Sequence, residues 1–235
     1  VITLNSNRYA PRVAGFSFLF LFVTDLVSGV LWGGADTLAG ISENSSRIRL
    51  SLVLSIVAGI TTLVLAAMLY AVVAHQDRNL AILALSCRAV EAGLYAVGVL
   101  ATLALLSLSQ GDSNATSSVN ALADQLMDAR WTSSNVSAIF FAAGSTVYSY
   151  LLYRSRAIPV VLSVTGLVGS LIILVGVPWQ TALSHRTFAG ASAVIWVPIA
   201  VFEISTGVWL LLKGANITPA SATATDDAEQ RTVPV

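Results

Sequence analysis

Asp25, Arg88, Glu91 and Glu203 stand in the middle of otherwise apolar stretches, and they are the side chains of this sequence best equipped for chemistry. A charge at the centre of a bilayer costs at least ~2.5–3.5 kcal/mol even on the lenient insertion scale, so such groups face a protein interior or a wet cavity and pair there. Three carboxylates against one guanidinium leave two negative charges in excess when all are ionised. That excess calls for neutralisation, by protons or by a bound cation. Arg88 and Glu91 are three residues apart, the spacing that puts two side chains on one helix face.

Two readings of the four residues are open. In one they form an internal salt-bridge network that pins helices together, with Arg88 neutralising Glu91 and shared with Glu203 or Asp25. In the other they form a proton or cation site, or a polar pocket for an amphiphile. Thr24 and Ser28 beside Asp25, Tyr95 one turn beyond Glu91, and Ser205 and Thr206 after Glu203 are candidates for a secondary polar lining.

The elements that must position these groups follow from composition. Of 235 residues, 56% are hydrophobic and 10% charged, too few charges to cover a soluble domain, where roughly 25% is usual. Apolar runs of about 20 residues, the length of a membrane span, fall near 13–34, 50–74, 79–108, 134–153, 158–179 and 191–213. The expected fold class is therefore an all-α, polytopic integral membrane bundle of six transmembrane helices, with two triplets of helices as one possible arrangement. Residues 1–12 form an N-terminal cytoplasmic segment, 13–213 the membrane domain, and 214–235 a Thr-, Ala-, Ser-, Pro- and acid-containing tail read as disordered. No cleavable signal pattern precedes the first run, which has the length of a full span. With a helical rise of about 1.5 Å per residue and a hydrocarbon core about 30 Å thick, Asp25, Glu91 and Glu203 each come out roughly 16–18 Å deep. All four charged groups can then meet at one level, joining spans one, three and six.

Orientation follows from the basic residues. Arg8, Arg12, Arg78, Arg154, Arg156, Lys213 and Arg231 share the face of the termini, against Arg47, Arg49, Arg130 and Arg186 on the other. The excess places both termini in the cytoplasm. Segment 119–130 has helical spacing of apolar residues and is expected to lie along the opposite membrane surface. Trp32, Trp131, Trp179 and Trp196 fall near that outer boundary and Trp209 near the inner one, which fits an interfacial belt better than a ligand box.

Several functions are disfavoured. Net charge is zero and no polybasic patch offers itself to nucleic acid. Cys87, alone, can make neither an internal disulfide nor a cysteine metal site, and reads as a small buried hydrophobe. The one lysine, Lys213, ends the last span and cannot carry a Schiff base at mid-depth. His75 and His185 fall in loops on opposite faces, against haem, chlorophyll or a two-histidine metal site. Walker, Gly-x-Ser-x-Gly and His-Glu-x-x-His motifs are missing. These absences argue against an enzyme, and no cofactor or metal is expected.

Several stretches resemble a bacterial six-span family, the domain-of-unknown-function family numbered 4386. Tyr9-Ala10-Pro11-Arg12-Val13-Ala14-Gly15 is similar to its entry to the first span, and Arg88-Ala89-Val90-Glu91-Ala92 to its third-helix segment. The run from Tyr150 through Arg154-Ser155-Arg156 to Pro159 is the most specific match. Val197-Pro198 through Glu203 to Lys213-Gly214 is similar to its last span. The resemblance covers residues 8–214, implies a bacterial inner membrane location, and lends weight to Arg88, Glu91 and Glu203. This chain departs where the family often has histidine, at Asp128-Ala129-Arg130 and at Ala142-Ala143-Gly144.

The function expected is a non-enzymatic membrane protein that binds or passes a small solute, lipid-like molecule or proton. Asp25, Glu91 and Glu203 would take up the proton or cation, with Arg88 as counter-charge. The alternative is an accessory subunit packed against other membrane protein subunits, where the acids only staple helices. A weaker third reading is a lipid-modifying enzyme using Asp124, Asp128 and His185. Beyond the lipid bilayer, no partner is specified.

Overall fold

The computed structural model describes residues 6–33, 35–110, 117–183 and 189–215, the side chains of 6–8, 183 and 189–193 apart. The tail beyond Ala215 and His185 lie outside the described residues. Among those described, the elements are α1 Ser6–Trp32, α2 Leu38–Glu43, α3 Ser45–Val73, α4 Arg78–Ser109, α5 Ser117–Ser155, α6 Val160–Leu183 and α7 Ala189–Leu212. All but the short α2 are long and apolar enough to cross a membrane, so the chain is an all-α membrane protein of six spans.

Local chemistry sets the helix ends. Asp77 Oδ1 accepts from the backbone N–H of Asn79 and Leu80 at 3.0 and 3.1 Å, capping α4. Thr37 Oγ1 caps α2 by accepting from Gly40 N–H at 3.1 Å. Such caps satisfy amide donors left over in a helix's first turn. Between α5 and α6 the chain reverses at Arg156, whose φ of 51° is left-handed, and the Pro159 carbonyl accepts from the amides of Leu162 and Ser163 in the first turn of α6.

One expectation changes. Residues 119–130 do not lie along the membrane surface; they are the first part of α5, one continuous helix of 39 residues. No glycine or proline occurs between Ser117 and Ala143, so nothing breaks the helix where the apolar span begins. At 1.5 Å per residue it is about 58 Å long, roughly twice the hydrocarbon thickness. Its outer part adds Ala123, Leu126 and Met127 to a small second core with Ala35, Ile41, Ile48, Leu105 and Leu106, and packs there on α4 and α3.

The six spans form a ring, not two triplets. α1 packs on α3, α3 on α4, α4 on α5, α5 on α6 and α6 on α7, and α7 closes the circle on α1. Toward the termini face the ring is filled by Phe18, Leu65, Leu69, Val72, Tyr148, Leu151, Leu152 and Phe202, which belong to one continuous core. Glycines allow the close approaches there. A Cβ on Gly15 would meet Gly207 O at 2.7 Å and Leu211 N at 2.8 Å, and one on Gly169 would meet Ile199 N at 2.9 Å. Small residues at such crossings let backbones touch, the usual source of association energy between helices in lipid.

Gly15→Ala is expected to force α1 and α7 apart and destabilise the bundle by about 1–3 kcal/mol, as overpacking does. Gly93→Ala, where nothing lies within 4 Å of the added Cβ, is expected to be neutral or slightly stabilising. Unfolding of both variants in detergent micelles checks the contrast; equal effects would refute the close α1–α7 crossing.

Candidate functional site

Above its filled half the ring is hollow. A cavity of about 630 Å³ begins at Leu21, Thr62, Arg88, Phe141, Val177 and Glu203, and its other lining residues run only toward the face away from the termini, as far as Trp32, Arg130 and Gln180. All six spans contribute. That volume falls within the range of about 300–1,000 Å³ typical of small-molecule sites.

Arg88 and Glu91 lie at its deep end, 3% and 4% exposed. Arg88 Nη1 stands 2.9 Å from Glu91 Oε2, but the approach is misaligned for a hydrogen bond. Those two atoms and Arg88 Nε, all sealed from solvent, therefore have no hydrogen-bond partner. The pair is held from α5: Gly144 leaves room for the arginine stem, since a Cβ there would meet Arg88 Cγ and Cδ at 3.2 Å. The guanidinium carbon lies 4.9 Å from the Phe141 ring centroid, within cation–π range, and Phe141 in turn contacts Trp196 at 6.2 Å. Ser137 Oγ donates to Glu91 O at 3.4 Å, a long bond.

Asp25 enters from α1 and keeps accessible surface on the cavity. Tyr95 Oη, from α4, donates to its carboxylate, 3.2 Å from each oxygen. Glu203 enters from α7, half-buried, and no hydrogen bond or ion pair reaches its carboxylate among the described residues. The structure thus brings all four charged residues to one cavity as two contacts, Arg88–Glu91 and Asp25–Tyr95, plus one carboxylate without a partner.

Of the secondary polar residues, Ser28 and Tyr95 line the cavity and Thr24, Ser205 and Thr206 do not. Thr24 Oγ1 is turned back to its own helix, 2.9 Å from both Phe20 O and Leu21 O. Thr206 is fully buried without a partner. Ser28 Oγ meets Ser51 Oγ at 2.7 Å, tying α1 to α3. Asp124 and Asp128 are exposed on the outer part of α5, away from the cavity.

The structure adds residues that sequence reasoning assigned elsewhere or passed over. Thr62 lines the deep end, 1% exposed and without a hydrogen-bond partner. Arg130, counted for orientation, sits at the wide end with its guanidinium 3.8 Å from the Trp32 ring centroid. Trp32, Trp131 and Trp196 border the cavity, whereas Trp179 is 66% exposed and does not. Trp32, Trp131 and Trp196, read from the sequence as interfacial, are thus also part of the cavity lining. Among the described residues no group of three His, Cys, Asp or Glu is placed to hold a metal ion.

Glu91→Gln leaves Arg88 buried without its counter-charge and is expected to cost about 3–5 kcal/mol, the usual result of breaking a buried pair from one side. Joint replacement by Arg88→Met and Glu91→Leu is expected to cost less than Glu91→Gln. Glu203→Gln removes a carboxylate with no partner and is expected to leave stability unchanged or raised. Chemical unfolding in bicelles of these variants measures the order; a mild Glu91→Gln would show the pair is not needed.

No curated protein and no solved structure matches this chain. Residues 13–214 match the family described as Domain of unknown function (DUF4386), a span that includes every charged residue of the cavity. Six apolar helices agree with that match, and the chain belongs to this family.

Proposed function

We propose that this protein is a multi-pass protein of a bacterial inner membrane that takes a small solute, or a proton, into the midplane cavity from the face opposite its termini. One observation carries the reading: a cavity of about 630 Å³ ends on Arg88, Glu91 and Glu203 and holds Asp25 in its wall. A ring that existed only to pin helices would fill this space with side chains, as the other half of the same ring does. Asp25 and Glu203 receive the solute or proton, with Arg88 as the counter-charge beside Glu91.

Orientation rests on charge. Arg12, Arg78, Arg154, Arg156 and Lys213 share the termini face, and Arg47, Arg49 and Arg130 the other. The basic excess supports a cytoplasmic placement of the termini. The cavity then opens outward, and the packed half closes it toward the cytoplasm. This geometry suits binding from outside, with passage requiring a rearrangement of the ring.

Cysteine labelling tests the reading. In a Cys87→Ala background, Ser137→Cys places a thiol in the cavity wall. A membrane-impermeant thiol reagent applied to the outer face of intact cells is expected to modify it, whereas the same reagent added to the medium around inverted vesicles, where it meets the cytoplasmic face, is not. No modification from either side would refute an open cavity and favour the accessory-subunit reading, which predicts a stoichiometric partner in native mass spectra.

A further inference from the structure

We infer that the cavity receives a small organic ammonium ion with an apolar or aromatic body, its nitrogen held by Asp25 and Glu203; this rests on the cavity reading above. Charge balance is the first argument. The lining carries Asp25, Glu91 and Glu203 against Arg88 and Arg130, one net negative charge. Glu91 is committed to Arg88, and Arg130 is stacked on Trp32 at the wide end. The negative charge that remains open is that of Asp25, held by a tyrosine hydroxyl, and of Glu203, which has no partner among the described residues.

The walls supply the second argument. Phe141, Trp196 and Tyr95 line the same space, and aromatic faces attract ammonium groups while accommodating apolar bodies. A bare metal ion does not suit a cavity of this size, and the described residues offer no metal-ligating cluster.

The experiment uses the full-length Cys87→Ala, Ser137→Cys protein in nanodiscs. Two thiosulfonate reagents of similar size, one bearing trimethylammonium and one sulfonate, are compared after dividing each rate by its rate on a free thiol. The cationic reagent is expected to be favoured about tenfold, the ratio that corresponds to ~1.4 kcal/mol. Asp25→Asn with Glu203→Gln is expected to abolish that preference while the protein stays folded, as its unfolding curve verifies. Phenethylamine is expected to slow modification in the parent but not in the double variant, and phenethyl alcohol at the same concentration to have little effect.

The outcomes separate cleanly. No modification by either reagent overturns the cavity reading itself. Equal normalised rates, or equal protection by the amine and the alcohol, leave an open cavity but overturn the ammonium assignment. A cationic preference with no protection by phenethylamine overturns it too, leaving a proton as the cavity's cation.

Discussion

Charge at bilayer depth has to be answered from within the protein, and here the answer starts with Arg88 and Glu91. The two share a helix face, contact at 2.9 Å and are almost wholly enclosed. Neither lipid nor bulk water can serve them at that depth, so the neighbouring helices must. Gly144 makes space for the arginine stem, Phe141 offers its ring, and Ser137 ties the adjacent backbone to α5. Even so, three polar atoms of the pair go without hydrogen bonds. An ion pair in this state is a centre of high local cost, and the surrounding ring gains its shape by containing it.

The ring differs above and below that level. Toward the termini it is solid, because glycines at the α1–α7 and α6–α7 crossings bring backbones together and Phe202, Tyr148 and the leucines fill what is left. Away from the termini it is open and polar, with serines on α1, α3 and α5 facing inward. Tyr148 marks the change, since its hydroxyl finds Ala66 O at 2.8 Å inside the packed half. The cavity is polar at its floor and plugged at that end, which sets it apart from a uniform pore.

Much of the fold was legible in the sequence because a membrane leaves few choices. Twenty apolar residues make a span, and hydrogen bonding in lipid demands a helix. The level shared by Asp25, Glu91 and Glu203 followed from counting residues, since helical rise converts position into depth. What counting could not supply was azimuth: Thr24 and Ser205 are as near in sequence as Ser28 and Tyr95, yet they face elsewhere. Phe141 carried no polar signal, and the hydroxyl of Thr62 nothing to separate it from Thr61 beside it or from the other Ser and Thr residues of the spans. Segment 119–130 was misplaced for a similar reason. Its amphipathic pattern fits a helix resting on a membrane or on a protein core, and only the small cluster around Ile41 and Leu106 decides between them.

The pairing of Arg88 with Glu91 inside one helix also bears on how the protein is made. A helix entering the bilayer does so before its neighbours are in place, and each lone charge at its centre adds at least ~2.5–3.5 kcal/mol to that step. α4 carries its own counter-ion three residues away, so its two charges can enter as a neutral unit without waiting for another segment. α1 and α7 have no such provision for Asp25 and Glu203. α1 is synthesised 70 residues ahead of Tyr95, the group that later contacts Asp25. Biogenesis therefore starts with a span whose charge stays uncompensated until α4 arrives already neutral, and the site closes when α7, the last of the described helices in the chain, meets α1.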